Sequence, residues 1–297
     1  MKRTIALLAA LACAASAAAQ DGTLKKIKDG GAITIGHRDA SVPFSYYDDK
    51  QQPVGYAMDI CARVVDAVKK ELGAPNLKVN HQLVTSANRI PLMANGTIDL
   101  ECGSTTNNLA RQEQVWFATT HFVTANRFVS KRASKINKLA DLKGKTIVST
   151  AGTTNIKQIT ELNGEQKLGM NIISANGHAE AFQMVETGRA VAFVMDDILL
   201  YGLVAQSRSP KDYAISAQAL SVEPYGIMLR KGDDAFKKVV DGAMTQIYKS
   251  GQINAIYAKW FQKPVPPKNI NLNVPMSAQF KKVVANPTDS GDPSAYK

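Results

Sequence analysis

Short apolar runs of strand length alternate with helical segments from residue 32 to residue 250, and this alternation confines the chain to parallel α/β architecture. The strand candidates are AITIGHRD, KVNHQLVT, TIDLECGS, KTIVSTAG, MNIISANG and AVAFVMDD. The helix candidates begin with GYAMDICARVVDAVKKELG, where Met58, Cys61, Val65 and Val68 share one face and Gly73 supplies the stop. Others run over residues 153–162, 178–187 and 234–248. Two longer extended stretches, FVTANRFVSKR and VEPYGIMLRKGDD, bracket the second half of this alternation. A chain that crosses out and later crosses back has one domain inserted in another, with both crossings forming the hinge. The expected lobes are residues 20–125 plus 230–297 and residues 126–229, with only the closing PTDSGDPSAYK loosely ordered.

Between Ser86 and Gln112 the chain reads SANRIPLMANGTIDLECGSTTNNLARQ, which places Arg89 and Arg111 each in a first helical turn. Unpaired N–H groups already make the potential positive there, and acids are the usual occupants. Four loops at strand ends carry small polar residues leading into helices: Ser86; Ser104, Thr105 and Thr106; Gly152, Thr153 and Thr154; and Asn176, Gly177 and His178. Ligands of open α/β sheets bind outside those strand ends, and helix N-termini bind anions. Two of the loops fall in each lobe, so a cleft between the lobes is expected to hold a small anion. Asp196, at the end of AVAFVMDD, adds a carboxylate suited to an ammonium.

Composition excludes other readings. The 297 residues, 45% hydrophobic, are enough for two ordinary domains. The opening MKRTIALLAALACAASAAAQ has a basic start, an apolar run and small residues at Ala17 and Ala19, so residues 1–19 read as a cleaved secretory signal. Lipidation at Cys13 is the competing reading, against which stands Ala10. No later apolar run is long enough to span a bilayer, so a soluble exported chain is expected. The net charge of +11 is spread over lysines on solvated helix faces such as Lys69, Lys70, Lys237 and Lys238, without an aromatic-interleaved groove, which argues against nucleic acid. Histidines 37, 81, 121 and 178 lack metal-ligand spacing, neither CxxC nor HExxH occurs, and no cofactor is implied. Cys61 and Cys102, left once the signal is removed, could pair in an oxidising compartment, yet each sits in an apolar run of the kind that holds a buried free thiol, and two free thiols are the favoured expectation.

The stretches GHRDASVPFSYYDDKQQPVGYAMDI, RIPLMANGTIDLECGSTTNNLARQ, STAGTTN and GRAVAFVMDDILL together resemble the periplasmic glutamate/aspartate-binding proteins of ABC importers, over nearly the whole mature chain. The resemblance implies a type II periplasmic binding protein fold, two Rossmann-like lobes joined by a two-strand hinge, closing on one amino acid. It also implies a monomer that serves an inner-membrane ABC permease and catalyses nothing. Carried over by motif, Arg111, Thr106 and Thr154 would hold the α-carboxylate, Asp196 and Ser104 the α-ammonium, and Arg38, Ser86, Arg89 and His178 the side-chain carboxylate. Ile227 stands where such relatives have a cysteine able to bridge to Cys102, so that bridge is lost.

Arg111 could instead pair with Glu113 on the surface, Arg38 and Arg89 could be exposed, and Asp197 rather than Asp196 could face the cleft. His37 should point to the far side of its strand, and Trp116 and Trp260 are core candidates. Three arginines against Asp196 leave a surplus of positive charge, more if His178 is protonated, which a dicarboxylic amino acid would match better than a neutral one. The alternative function is an arogenate- or prephenate-type dehydratase on the same fold, which needs a strand-end acid beyond Asp196. Glu101 is expected to point away from the Ser104 donors or lie below them. A receptor's sensor domain is a third possibility.

Overall fold

The computed structural model describes residues 22–297; the expected signal segment and Cys13 lie outside the described residues. Two open sheets organise the chain. The first has five strands in the order Lys78–Leu83, Ala32–His37, Leu100–Glu101, Met228–Arg230, Val115–Phe117. Its first three are parallel, whereas Met228–Arg230 runs antiparallel to both neighbours. The second sheet has the order Asn171–Ala175, Thr146–Thr150, Ala192–Asp196, Phe122–Lys131, Tyr213–Ile215, with Ser221–Tyr225 also paired to Phe122–Lys131. A ribbon of three short strands, Ala40–Ser41, Ser45–Tyr47 and Pro53–Val54, stands beside the first sheet.

Helices cover these sheets because their apolar positions recur at helical spacing. In Tyr56–Leu72 the buried set Ile60, Cys61, Val64, Val65 and Val68 forms one stripe, and Gly73 closes the helix in the left-handed conformation at φ 59°. The second sheet is flanked by Thr154–Glu165, His178–Glu186 and Asp197–Gln206. The last of these carries apolar residues around its circumference and buries Ile198, Leu199, Leu200 and Leu203. Among the described residues no helix is long and apolar enough to cross a membrane.

The two crossing segments are one paired ribbon. Phe122–Lys131 leaves the first sheet's side of the molecule and pairs along its early residues with the returning Ser221–Tyr225, from Phe122 opposite Tyr225 to Asn126 opposite Ser221. Its later residues pair with Ala192–Asp196 and Tyr213–Ile215. Phe44, Tyr56, Phe122, Tyr225 and Phe261 pack at ring-centroid distances of 5.0–5.8 Å below the start of the crossing. The ribbon therefore rests on a rigid aromatic floor on one side and is built into a sheet on the other.

Two expectations need correction. Cys61 and Cys102 form a disulfide, with Cα atoms 6.3 Å apart. The apolar runs were read as sites for free thiols, but the inward stripe of Tyr56–Leu72 lies against the strand end from which Cys102 emerges, and both residues are fully buried there. The bridge closes a separation of 41 residues, and loop closure of that size stabilises by about 4 kcal/mol. The carboxyl-terminal stretch is not loose either. Tyr296 is 2% exposed and shares a 2.7 Å hydrogen bond with the Thr120 hydroxyl, while Asn107 Nδ2 donates to the Asp289 carbonyl at 2.8 Å. This segment thus braces the loop that carries Ser104 and Thr106.

Candidate functional site between the two sheets

Every strand-end loop singled out above faces the same gap. Arg38 follows Ala32–His37 directly and is 1% exposed; its backbone N–H donates to the Ser45 hydroxyl at 2.8 Å, which turns the chain into the ribbon. Arg89 opens the helix Arg89–Ala94 and is 2% exposed. Neither residue is a surface arginine. Nε and Nη1 of both guanidiniums, together with the hydroxyls of Ser86 and Ser104, are buried and make no hydrogen bond among the described residues. Burial lowers both arginines' pKa, that of Arg38 to about 10, with the charge of Arg89 acting further against Arg38. Glu101 partly offsets this in both.

Arg111 is different in kind. In the short helix Leu109–Gln112, whose first turn is capped by the Asn108 side chain, its guanidinium donates to the Thr106 carbonyl at 2.7 Å and to the Gly152 carbonyl at 3.2 Å. Glu113 is 83% exposed and pairs with Lys231, so the surface pairing with Arg111 does not form. Desolvation, then Arg89, push the Arg111 pKa down to about 9. Thr106 meets Tyr225 in a backbone bridge.

From the second sheet, Thr154 begins its helix and donates through Oγ1 to Glu223 at 2.9 Å. Asp196 accepts from Asn155 Nδ2 at 2.7 Å and from the Tyr225 hydroxyl at 2.5 Å. Asp197, its neighbour, is instead engaged by Arg127 at 2.9 Å and Thr124 at 2.5 Å, so Asp196 is the one in the gap. Burial and the charge of Glu223 push the Asp196 carboxyl up to about 7. His178 is 2% exposed, with Nδ1 2.9 Å from Thr150 Oγ1 and Nε2 3.5 Å from Arg38 Nη2. Burial and the charges of Arg38 and Arg89 hold its pKa far below the ordinary value, so the ring is neutral and adds nothing to the charge. His37 packs edge-on against Tyr47 and His81, away from the gap. Trp260 is buried and donates to Asp59 at 2.7 Å, whereas Trp116 is only partly buried.

The two sides touch. Gly152, at φ 73°, comes so close to the other side that a Cβ there would lie 2.5 Å from Ala87 Cα, which only glycine avoids. With Arg111 on the Gly152 carbonyl and Arg38 beside His178, the gap is closed over. Of the nine residues named from the sequence, Arg38 and His178 meet across it and Arg111 reaches Gly152, while Ser86, Arg89 and Ser104 keep buried polar atoms without a partner among the described residues. Sequence reasoning missed three others, Asn155, Tyr225 and Glu223, while Glu101 takes the second of the two placements expected for it, below the Ser104 donors. Glu101 is fully buried, accepts from Thr105 Oγ1 at 2.5 Å, and lies beneath the Ser104 loop. Glu223 accepts from Gln158 at 2.7 Å and from Ser221. These two acids correct the charge count, which had set three arginines against Asp196 alone. Their signal was faint, because one of them lies in a two-residue strand and the other in a crossing segment read only as a connection.

The arrangement sets buried arginine and hydroxyl donors beside the buried carboxylates of Asp196, Glu101 and Glu223 where the two sheets meet. Residues 33–263 match the family described as bacterial extracellular solute-binding proteins, family 3. An L-glutamate/L-aspartate-binding protein of Pseudomonas aeruginosa is 56% identical over 269 residues, 90% of this chain and 89% of the relative. A glutamate/aspartate import solute-binding protein of Escherichia coli is 48% identical over 286 residues, 96% of this chain and 95% of the relative. Among solved structures, a mutant of an arginine-binding protein of T. maritima superposes with a TM-score of 0.71 at 25% identity, over 80% of this chain and 99% of that one. The two-lobed α/β chain described above belongs to the bacterial extracellular solute-binding proteins, family 3.

Proposed function

We propose that the chain captures L-glutamate or L-aspartate between its lobes in the periplasm, after export by a cleaved signal over residues 1–19, and delivers it to an inner-membrane ABC permease. The observation that carries this reading is the set of buried donors on Arg38, Ser86 and Arg89 that have no acceptor among the described residues. Buried polar groups are costly without partners, and charged ones more so, so these donors call for a second carboxylate beyond the one every amino acid has. The names of the relatives at 56% and 48% identity support the same ligand class.

In this reading Arg111, Thr106 and Thr154 take the α-carboxylate, Asp196 and Ser104 the α-ammonium, and Arg38, Ser86, Arg89 and neutral His178 the distal carboxylate. Residues 20–125 with 230–297 and residues 126–229 rotate about the paired crossing segments to open and close the gap, and the protein acts as a monomer. Calorimetric titration with a panel of amino acids tests the reading. Glutamate and aspartate should bind far more tightly than glutamine, asparagine or arginine. Equal binding of glutamine and glutamate by the wild-type protein would overturn it.

A further inference from the structure

We propose that Glu101 is a specificity-determining residue that sets the charge of the distal half of the cleft without needing to touch the ligand. The proposal rests on the glutamate/aspartate reading above and deepens it. Glu101 is fully buried under the Ser104 loop, and only Oε2 is satisfied, by Thr105 Oγ1 at 2.5 Å. Oε1 accepts no hydrogen bond. A Cβ at Gly103 would lie 2.3 Å from Glu101 Oε1 and 3.0 Å from Arg38 Cγ, so the carboxylate and the arginine stem flank one backbone carbon. The absence of a side chain at Gly103 is what lets the acid sit there.

A negative group in that position acts on all three arginines. Its charge favours the protonated form of Arg38, Arg89 and Arg111, and it is the largest such influence on Arg38 and Arg89. Without it, Arg38 and Arg89 would present two positive charges to a single distal carboxylate, because His178 is neutral. With it, the distal half is left with one positive charge, the complement of one carboxylate. Uncompensated buried charge is expensive, so a site carrying two would recruit an additional anion or repel itself. The free Oε1 keeps the balance electrostatic: no guanidinium is withdrawn from the ligand into a hydrogen-bonded ion pair with Glu101.

The test is a charge-compensation cycle. Arg38→Met alone leaves one arginine opposed by Glu101 and should bind glutamate poorly. Adding Glu101→Gln removes the opposing charge, and the double variant should bind glutamate at least about tenfold more tightly than Arg38→Met, with the glutamate-to-glutamine ratio partly restored. A residue that merely packs the loop cannot rescue a loss made elsewhere. A double variant that binds no better than Arg38→Met, or that fails to fold where Arg38→Met folds, overturns the proposal. Glu101→Gln alone should make glutamate binding more sensitive to added sodium sulfate than in wild type, because the surplus charge accepts the competing anion. An unchanged sulfate dependence in a folded Glu101→Gln protein also overturns it. The ligand reading fails separately, if wild-type protein does not prefer glutamate to glutamine.

Discussion

The two ends of the cleft are built by opposite rules. At the end proposed for the amino-acid group, Arg111 is held by two carbonyls, Thr154 by Glu223, and Asp196 by Asn155 and Tyr225, so these groups, unlike the Ser104 hydroxyl, are oriented by the protein itself. At the end proposed for the side-chain carboxylate, Arg38, Ser86 and Arg89 keep donors that nothing among the described residues accepts. Preorganised groups add a ligand contact to an existing network, which makes the contact precise but moderate in strength. Donors without acceptors gain the whole of their desolvation cost when an acceptor arrives. Affinity common to all amino acids should therefore come from the first end, and discrimination among them from the second.

The largest expected effect follows directly. Replacing Arg89 or Arg38 by Met should reduce the preference for glutamate over glutamine by about 2–5 kcal/mol, the range for breaking a buried charge pair, or about 30-fold to several-thousand-fold. Glutamine presents an NH₂ to groups that require an acceptor, so its own binding should change far less. Paired calorimetric titrations of each variant with the two ligands measure the ratio. If both variants keep full discrimination, the contrast between the two ends is wrong.

Arg111 sharpens the contrast from the other side. Because its guanidinium already has carbonyl partners, Arg111→Met should weaken every amino acid by a similar factor, corresponding to about 1.5–3 kcal/mol for a hydrogen bond to a charged group. Part of that loss reflects closure, since Arg111 bonds the Gly152 carbonyl across the gap. A loss confined to glutamate, sparing glutamine, would assign Arg111 to the distal end instead.

What could be seen of this in the sequence follows the range over which each feature is encoded. The helix Tyr56–Leu72, the strand Ala32–His37 and the polar loops before Arg89, Thr154 and His178 are local patterns of spacing and capping, and they stand where the spacing puts them. Strands of two or three residues, such as Val115–Phe117 and Met228–Arg230, exist only through distant partners and carry no period of their own. The same limit hid the Cys61–Cys102 disulfide, which depends on how a helix stripe registers against a strand end. It also hid the ordering of the carboxyl-terminal stretch, decided by Tyr296 reaching Thr120 across 176 residues. At the site, arginines at helix starts were visible because they defy the usual electrostatics. Tyr225 and Glu223 were not, because an extended crossing does not announce which of its residues turn inward.

The smallest effect tests how tightly the amino-acid end is tuned. Asp196 has its carboxyl pushed up to about 7 by burial and by Glu223, and the hydrogen bonds from Tyr225 and Asn155 oppose that rise. An ammonium prefers the ionised carboxylate, so affinity should fall as pH drops below about 7, by at most about tenfold per unit for one proton. Melting temperature is a poor readout of this. A carboxyl raised above its unfolded value makes the native state bind more protons, so its contribution to the stability of the ligand-free protein declines as pH rises toward about 7. The depressed His178 acts in the opposite sense, because the unfolded state takes up the proton and stability is lost as pH falls below its ordinary value. Binding separates the two, since Asp196 is the group proposed to meet the ammonium and His178 is neutral before and after. Tyr225→Phe removes a donor to the charged carboxylate and leaves the aromatic floor in place. It should shift the midpoint of the affinity profile upward and cost about 0.5–1.5 kcal/mol of glutamate affinity at neutral pH, with glutamine weakened equally. If Tyr225→Phe left the midpoint where it is in wild type, Asp196 would not be the titrating partner of the ammonium, and the amino-acid end would owe its order to closure alone.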